Sequence, residues 1–408
     1  MRSELIVAAK EFRDHLTSKR FILIFAVLML VCIYSMVNGM GDYQKMLDQY
    51  KKSAAENPQQ PWYQEQVAMY QKMIAEAESR GAPQEEIDSL KYQLEQFTNP
   101  PMPSVLFVFQ NLNQYFALIG MVLAVSMGFD LISREKEEGS LKSLLSHPVY
   151  RDSIINGKTL GAFGVLGIVL GATFLITMAI MLIYGVIPQM NDLMAIAVYF
   201  VMALLYCLVF FALAMMTSTL AKSSSMSVMY VLGLVIFMVV LSMFSYNITQ
   251  LILGPPPEYP GGPILYAEPI AIEADTKVAA STAEISSSDP DVTIDRGDVS
   301  ILPAPLPNDE YDEYYKEWQQ YYERQSMIMQ AIDAISPMSN FQNHIAPAIF
   351  NQGYMIYRSA LMVKPYYPHQ VTLWESIASV WVNILVLLIE TLIAFAVAYV
   401  KFLRVDVR

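Results

Sequence analysis

The chain has 408 residues, of which 54% are hydrophobic and 16% are charged, with a mean hydropathy of +0.35 and a net charge of −12. So apolar a composition excludes an ordinary soluble enzyme of several domains and favours a protein that crosses the bilayer several times. The charges gather in a few blocks, which are therefore expected to face water. Cys32 and Cys207 both lie inside apolar runs, which argues against a disulfide framework or a thiolate metal site.

Six stretches are long and apolar enough to cross the hydrocarbon core, which takes about 20 helical residues. The predicted fold is an all-α polytopic membrane protein with six transmembrane helices and two large extracytoplasmic insertions, the first helical and the second mixed. In chain order the predicted segments are an amphipathic interface helix (1–20), span one (21–40), a helical insertion (41–114), span two (115–133), a cytoplasmic loop (134–158), spans three to five (159–253), a second insertion (254–375), span six (376–403) and a cytoplasmic tail (404–408).

The N-terminal segment has the pattern of a helix that lies in the membrane interface. Leu5, Ala9, Phe12 and Leu16 fall on one helical face, and basic residues lie elsewhere. Span one is short and follows basic residues, so a cleaved signal peptide is the alternative. The acidic residues of the leader and the lack of a small-residue cleavage site favour a retained span.

The basic residues set the expected orientation, because lysine and arginine favour the cytoplasmic ends of spans. Those of the N-terminal segment, of the 134–158 loop, of the link at Lys222 and of the C-terminal tail fall on one side if there are six spans. Both termini of this multi-pass protein are therefore expected on the cytoplasmic side of a cell membrane, and both insertions outside it.

The first insertion contains three predicted helices, at 42–56, 62–79 and 83–97. Apolar residues recur in them at three- and four-residue spacing, as in amphipathic helices. A small helical bundle or a long hairpin is expected outside the membrane.

The stretch before the third span ends in Gly157-Lys158-Thr159, which looks like the end of a phosphate-binding P-loop. A P-loop needs an earlier glycine between a strand and a helix, whereas here Asp152 takes that place and a membrane span follows. The stretch is therefore not expected to bind a nucleotide. The sequence has no zinc-protease or hydrolase motif and its four histidines are scattered, so neither a catalytic residue nor a metal site is predicted.

The same stretch contains a short amphipathic helix. Ser140 is placed to cap it, Leu141, Leu144 and Leu145 form its apolar face, and Pro148 begins a second helix that leads into the third span. An apolar stripe flanked by charges suits the docking of a partner protein. An ordinary charged loop between two spans is the alternative.

This loop resembles the cytoplasmic segment of type-2 ABC exporter permeases, in the subfamily that includes permeases for nitrous-oxide-reductase maturation, gliding motility and sodium export. The shared pattern is an acidic start, Gly-Ser-Leu, a Leu-Leu pair, Pro-Val, an arginine and a closing Gly-Lys. The residues to which the resemblance assigns contact with an ATPase are Glu135, Glu137, Glu138, Gly139, Ser140, Leu141, Leu144, Leu145, Pro148, Val149, Arg151, Gly157 and Lys158.

The resemblance implies a half-transporter that forms a homodimer or a heterodimer and couples to separate ABC ATPase subunits. ATP and magnesium would bind in those partners, because these 408 residues show no nucleotide-binding domain. Membrane lipid is the other expected partner, and nucleic acid is not expected. The large insertions depart from the compact family pattern and leave the substrate open. The rival functions are ATP-driven mechanotransmission to an extracytoplasmic partner without substrate crossing, and a stand-alone membrane receptor or scaffold.

The third span carries a row of small residues at Gly161, Gly164, Gly167 and Gly171. Small residues at this spacing let helix backbones approach closely in a membrane. Tight helix packing is predicted there in preference to a gating hinge.

Span six carries a carboxylate, Glu390, and an amide, Asn383, seven residues apart on one helical face. A charged group inside the membrane is costly and normally faces a partner or water. A role in the transport pathway and a structural hydrogen bond to a neighbouring span both explain these two residues.

The second insertion joins a Ser/Thr/Asp-rich tract to a Tyr-rich helical pattern over 309–335. Residues 277–302 allow either short strands or disorder. The tyrosines suit binding of a sugar or a lipid headgroup, and a helix at the membrane surface explains the same pattern. The 26 methionines are spread mainly through the spans, which predicts apolar filling of the core and not a copper site.

Overall fold

The computed structural model describes residues 2–100, 102–140, 150–257, 308–350 and 372–404. Within these residues the chain is helical and has no strand. Six helices there are long and apolar enough to cross a membrane, at Lys19–Gln59, Val105–Glu137, Arg151–Ile183, Met190–Leu220, Ser224–Met243 and Trp381–Leu403. The predicted all-α polytopic fold is confirmed for the described residues, and the tract at 277–302 lies outside them.

The chain divides into two units. The first combines Met1–Ile252 with Ser326–Arg408 and contains all six spans, and the second is Leu253–Gln325. Helix α11 (Asn308–Ala334) begins in the second unit and ends in the first. Within the second unit the Tyr321 hydroxyl donates a hydrogen bond to the Gly254 carbonyl at 2.7 Å. The Tyr-rich helix predicted at 309–335 corresponds to α11.

Two helices form the N-terminal part. Helix α1 (Arg2–Thr17) and helix α2 (Lys19–Glu56) are separated at Ser18, whose extended backbone breaks the helix and whose hydroxyl accepts a hydrogen bond from the Phe21 N–H at 3.2 Å. Helix α2 has 38 residues and continues without a break past the predicted end of span one at residue 40. At 1.5 Å per residue it is about 57 Å long, well beyond the roughly 30 Å of hydrocarbon that a span must cross.

The rest of the first insertion is a helical hairpin of α3 (Pro61–Ser79) and α4 (Gln84–Thr98). Gly81 turns the chain between them with a φ of +67°, a left-handed value that favours glycine. The Tyr63 and Phe97 rings stack at a centroid distance of 4.8 Å and hold the open end of the hairpin. The helices predicted at 62–79 and 83–97 therefore pair with each other.

The remaining helices of the first unit follow in chain order. They are α5 (Val108–Gly128), α6 (Ser133–Glu137), α7 (Arg151–Ile183), α8 (Met190–Leu220), α9 (Ser224–Met243), α10 (Ser245–Leu253), α12 (Pro337–Asn340), α13 (Ala346–Phe350), α14 (Leu373–Ser379) and α15 (Trp381–Leu403). The fifth predicted span, 226–253, is two helices, α9 and α10, which are separated at Phe244. Helix α8 lies at the centre, where it packs against α5, α9 and α15.

A segment of the second insertion enters this core. No sequence pattern predicted this arrangement. We call residues 336–350 the buried segment; it comprises α12, a π-helical turn at Phe341–Ile345 and α13. The Phe341 ring stacks on the Tyr206 ring at 4.7 Å, and the Phe350 ring contacts the Tyr199 ring at 4.6 Å. Tyr206 lies 14 residues before the end of α8, about 21 Å along the helix, so the segment reaches well into the helix bundle.

Two asparagines hold the buried segment to α15. The Asn383 Nδ2 donates to Asn340 Oδ1 at 2.7 Å, and Asn340 Nδ2 donates to the Asn383 carbonyl at 3.0 Å. The Gln330 side chain of α11 also donates to Asn383 Oδ1, at 2.8 Å. Both asparagine side chains are fully buried, so each depends on the other to avoid an unpaired polar group.

Replacing Asn383 with leucine is expected to lower the free energy of unfolding by about 1–3 kcal/mol, because the buried side-chain oxygen of Asn340, Oδ1, loses its donor. Thermal unfolding of the purified, detergent-solubilised chain measures this. Asn343→Leu is the matched control, because Asn343 is exposed on the same segment and should change stability little. Equal effects of the two substitutions would contradict this assignment.

Candidate functional site

Helix α1 packs along the first turns of α7, and glycines make the close approach possible. A Cβ atom on Gly157 would lie 2.7 Å from the Val7 Cβ, and one on Gly161 would lie 2.8 Å from the Ala8 carbonyl oxygen. Such distances are shorter than Cβ atoms tolerate. A Cβ on Gly164 would lie 3.3 Å from a ring carbon of Phe12, which is a tight contact.

The other two glycines of the row behave differently. A Cβ added to Gly167 or Gly171 would have no atom within 4 Å. The row of small residues therefore divides into a part that contacts α1 and a part that faces open space within the described chain.

A buried lysine lies at the point where α1, α6 and α7 meet. The Lys158 Nζ is 2.6 Å from Glu11 Oε1 and 2.8 Å from Glu135 Oε1. The Lys158 side chain is only 2% exposed, and those of Glu11 and Glu135 are 10% and 18% exposed. We call these three residues the Lys158 cluster. Its two carboxylates and one ammonium carry a net charge of −1, and Glu135 Oε2 is buried without a hydrogen-bond partner among the described residues.

His15 lies beside the Lys158 cluster. Burial lowers the pKa of His15; the negative charge of Glu11 opposes this shift, and the positive charge of Lys158 adds to it. The imidazole is therefore neutral at neutral pH and does not offset the negative charge of the cluster.

Helix α6 is tied to the end of α8. The Ser218 Oγ accepts a hydrogen bond from the Ser133 N–H at 2.9 Å, at the start of α6. The Lys136 Nζ donates to the Thr219 carbonyl at 2.5 Å, near the end of α8. These bonds satisfy backbone groups that helix ends leave unpaired, so they fix α6 against α8.

The acidic residues at the end of α6 have two different roles. Glu137 Oε2 accepts a hydrogen bond from the Ser224 N–H at 3.1 Å, which caps α9. Glu138 pairs with Arg134 at 2.8 Å, and both side chains are exposed. Gly139 then turns the chain with a φ of +71°. Of the acidic residues that the resemblance assigns to a partner, Glu135 and Glu137 therefore bind within the chain.

The remaining residues of the loop are placed as follows. Arg151 is the first residue of α7, and its Nη1 donates to the Leu403 carbonyl at the end of α15, at 2.9 Å. The Ser140 hydroxyl lies 3.4 Å from the Glu135 carbonyl, to which it donates. Five predicted contact residues lie outside the described residues: Leu141, Leu144, Leu145, Pro148 and Val149.

A cavity of about 810 Å³ opens beside the Lys158 cluster. It is lined by α1, the start of α2, the end of α5 and α6. Arg20 and Asp130 form an ion pair of 3.1 Å at its wall, so the lining contains both signs of charge. The Lys158 cluster holds α1 and α6 together at the edge of this cavity, and the cavity keeps other parts of the same two helices apart.

Glu390 and Asn383 occur on the same helix, α15, in different environments. Glu390 Oε2 is buried and has no hydrogen-bond partner in the described part of the chain. Asn383 is engaged by Asn340 and Gln330, as described above. No hydrogen bond between described residues joins the two side chains into one site.

Glu11, Ser218 and Asn340 are among the residues of these networks that sequence reasoning missed. Glu11 had a recognisable signal, because it shares a helical face with Ala8 and Phe12, where an acidic side chain must find a cation. Ser218 and Asn340 had no such signal, since serine and asparagine occur in many environments.

The six candidate spans define a polytopic helical membrane protein, in which α1 and α6 are joined to the start of the third span by the Lys158 cluster. A family model described as "ABC-2 family transporter protein" matches residues 5–407. The chain therefore belongs to the ABC-2 transporter family and is a membrane permease component of an ABC transporter. The predicted membership of the ABC-2 family is confirmed, whereas the subfamily stays a prediction. No curated protein matches the chain.

Gly161→Ala is expected to destabilise the protein by about 1–3 kcal/mol, because the new Cβ collides with the α1 backbone. Gly167→Ala is the matched control on the same helix, and should be neutral or stabilising by up to about 1 kcal/mol through its higher helix propensity. Thermal unfolding in detergent distinguishes the two. If Gly161→Ala were as stable as Gly167→Ala, the close contact of α1 with α7 would be wrong.

Lys158→Met is expected to destabilise the protein by about 3–5 kcal/mol, because Glu11 and Glu135 would be left as unpaired buried charges. The matched control is Arg134→Met, which breaks an exposed ion pair and should cost less than about 1 kcal/mol. Chemical unfolding in detergent measures both.

A rescue variant tests the reason for the effect. Lys158→Met combined with Glu11→Leu and Glu135→Leu removes all three charges and should recover much of the loss. A triple variant no more stable than Lys158→Met would show that charge pairing is not what the cluster supplies.

Proposed function

We propose that this chain is the permease subunit of an ATP-binding-cassette exporter, which dimerises and couples through its 134–158 loop to a separate ATPase subunit. It lies in the cell membrane with both termini in the cytoplasm, so the Lys158 cluster is on the cytoplasmic side. The observation that carries the proposal is this cluster, which joins the loop to the N-terminal helix and to the third span.

The cluster supplies a path for mechanical coupling. Motion of α6 away from α1 or α7 would separate Glu135 from Lys158 and leave buried charge unpaired, which is costly. The bonds of Ser218, Lys136 and Glu137 pass the same motion to α8 and α9. A partner that pushes on the loop therefore moves the third, fourth and fifth spans with it.

The energy for this motion comes from the partner. Membership of the ABC-2 family implies ABC ATPase subunits as partners, and ATP and magnesium would bind in those subunits. The chain itself is not an enzyme. Its loop resembles permeases for nitrous-oxide-reductase maturation, gliding motility and sodium export, and this resemblance supports the proposal that the chain belongs to the same subfamily.

Substrate moves between two permease copies by alternating access. Glu390 is the residue best suited to the pathway, because its Oε2 is buried without a hydrogen-bond partner among the described residues and must gain one from water, substrate or the second copy. Asn383 contributes by holding the buried segment at the outer end of the pathway.

Mechanotransmission is a second candidate, and one observation favours it. Helix α2 begins beside α1 and continues unbroken to Glu56, about 57 Å away, where the outer hairpin begins. A continuous helix of this length transmits motion across the bilayer without any substrate crossing it. In this case the outer hairpin would act on an extracytoplasmic partner.

Replacing both Leu144 and Leu145 with aspartate is expected to abolish co-purification with an ABC ATPase encoded beside this chain, because charge would replace the predicted apolar docking face. The matched control is Met102→Asp, which places the same charge at an exposed apolar residue of the outer loop. Affinity purification of the tagged chain measures retention. An ATPase retained by the double variant would refute docking through this loop.

Flux separates the two candidate functions. In liposomes that contain the complex, an exporter should lose substrate-stimulated ATPase activity and transport in the Glu390→Gln variant while it keeps its ATPase subunits. ATP hydrolysis with movement of the outer hairpin but without flux would favour mechanotransmission.

A further inference from the structure

The cavity beside the Lys158 cluster has the size of a site for a small molecule. Its volume of about 810 Å³ lies within the range of ligand pockets in proteins. Phe21, in the first turn of α2, and Met127, at the end of α5, both line it. These two residues lie at one end of the first and second candidate spans, where lipid headgroups border a span. The cavity therefore opens at the depth of the headgroups.

Buried negative charge lies in the inner wall of this cavity. Glu11 and Glu135 both line it, and their side chains are only 10% and 18% exposed. Lys158 compensates one of the two charges, so the Lys158 cluster keeps a net charge of −1 in a place that water reaches little. His15 also lines the cavity and is neutral, because burial lowers its pKa. The inner wall therefore attracts a cation.

Two polar atoms of lining residues are buried without a hydrogen-bond partner among the described residues. They are Glu135 Oε2 and His15 Nε2. The Glu135 oxygen can only accept a hydrogen bond, whereas the nitrogen of a neutral histidine accepts or donates one. One free carboxylate oxygen suits an ammonium group, which donates hydrogen bonds, better than a divalent metal ion, which needs several oxygen ligands. The cation that fits the inner wall is therefore an organic amine.

The mouth of the cavity carries exposed side chains of both signs: Lys10, Asp14, Lys19, Arg20 and Glu138. Its positive charge is concentrated where α2 begins. The first turn of α2 contains Lys19 and Arg20 and no acidic residue, and the positive end of the helix dipole adds to their charge. Arg20 bonds Asp130 through Nη1 and keeps further N–H donors. The start of α2 therefore suits an anionic group.

We propose that this cavity binds a phosphoethanolamine group, whose ammonium donates to Glu135 Oε2 and whose phosphate lies at Lys19 and Arg20. A headgroup with a quaternary ammonium has the same charges but no N–H to donate, and a headgroup without an amine cannot offset the buried carboxylate. Phosphatidylethanolamine of the adjoining leaflet and a soluble phosphoethanolamine compound both present this chemistry. A ligand held by α6 and by α2 would brace these two helices across the cavity.

This site goes beyond the proposed function and requires neither an ATPase nor a transported substrate. Only the identity of the leaflet rests on the proposed function, which puts this end of the spans in the cytoplasm. Ligand binding by the purified chain therefore tests the site even if no ATPase binds.

Native mass spectrometry of the full chain, purified in detergent and stripped of lipid, measures the affinity for the first bound lipid. Phosphatidylethanolamine, phosphatidylcholine and phosphatidylglycerol with identical acyl chains are compared. Phosphatidylethanolamine should bind about tenfold more tightly than the other two, in the range expected for a hydrogen bond to a charged group. Equal affinities for phosphatidylethanolamine and phosphatidylcholine would overturn the proposal, and this comparison needs no variant.

Variants test the two ends of the ligand separately. Glu135→Gln removes the charge and keeps the shape of the side chain, so the preference for phosphatidylethanolamine over phosphatidylcholine should disappear. The matched control is Glu137→Gln, the same change on the same helix at a residue outside the described lining of this cavity, and it should keep the preference. Lys19→Gln should weaken the binding of both lipids by about twofold to fivefold, the range of an exposed ion pair.

Two results would contradict these assignments. A preference that survives Glu135→Gln would overturn the ammonium site, and an unchanged affinity in Lys19→Gln would overturn the placement of the phosphate. Thermal unfolding in detergent checks that each variant is folded.

Soluble O-phosphoethanolamine distinguishes the two sources of the ligand. If the site takes the soluble compound, millimolar concentrations should raise the melting temperature of the lipid-free wild-type chain and not that of Glu135→Gln. Binding of phosphatidylethanolamine without this shift assigns the site to the lipid headgroup. Binding of neither would overturn the site.

Discussion

The buried ammonium of Lys158 is the constraint on which one end of this protein depends. A lysine side chain that is 2% exposed must keep its anionic partners, because an unpaired charge in an apolar environment costs several kcal/mol. Its partners come from two other elements, Glu11 on α1 and Glu135 on α6. The N-terminal helix, the short helix after the second span and the third span are therefore held together by one charge, and the glycines of α7 let α1 come close enough for the pairing.

The opposite part of the first unit follows the same rule with neutral groups. Non-helical and π-helical backbone is tolerated at membrane depth only where it is buried in protein. The buried segment meets this condition by stacking Phe341 and Phe350 on the tyrosines of α8 and by pairing Asn340 with Asn383. A few satisfied polar contacts therefore specify how the helix ends of this apolar protein are arranged. Hydrophobic packing alone would allow several arrangements.

These two networks have different consequences for function. Under the proposed function the Lys158 cluster would transmit force, because it joins elements that a partner subunit would move together. The contacts of the buried segment join the other end of the bundle to α8 and α15. Glu390, whose Oε2 is buried without a hydrogen-bond partner among the described residues, lies on α15, the helix that carries Asn383 at its start. The proposed coupling residues are therefore separate from the proposed pathway, whereas Asn383 belongs both to the pathway helix and to the contacts of the buried segment.

The sequence alone determined the fold class, the six spans and the family. Hydrophobic runs longer than about 20 residues have few alternatives in a membrane, and the spacing of residues 135–158 was specific enough to identify the family. Only the tertiary structure decided which polar groups meet. Glu11 and Lys158 are 147 residues apart in the chain, and Asn340 and Asn383 are 43 apart. It also decided that Gly157 and Gly161 face α1 while Gly167 and Gly171 do not, because a row of glycines on one helix carries no information about which neighbour covers it.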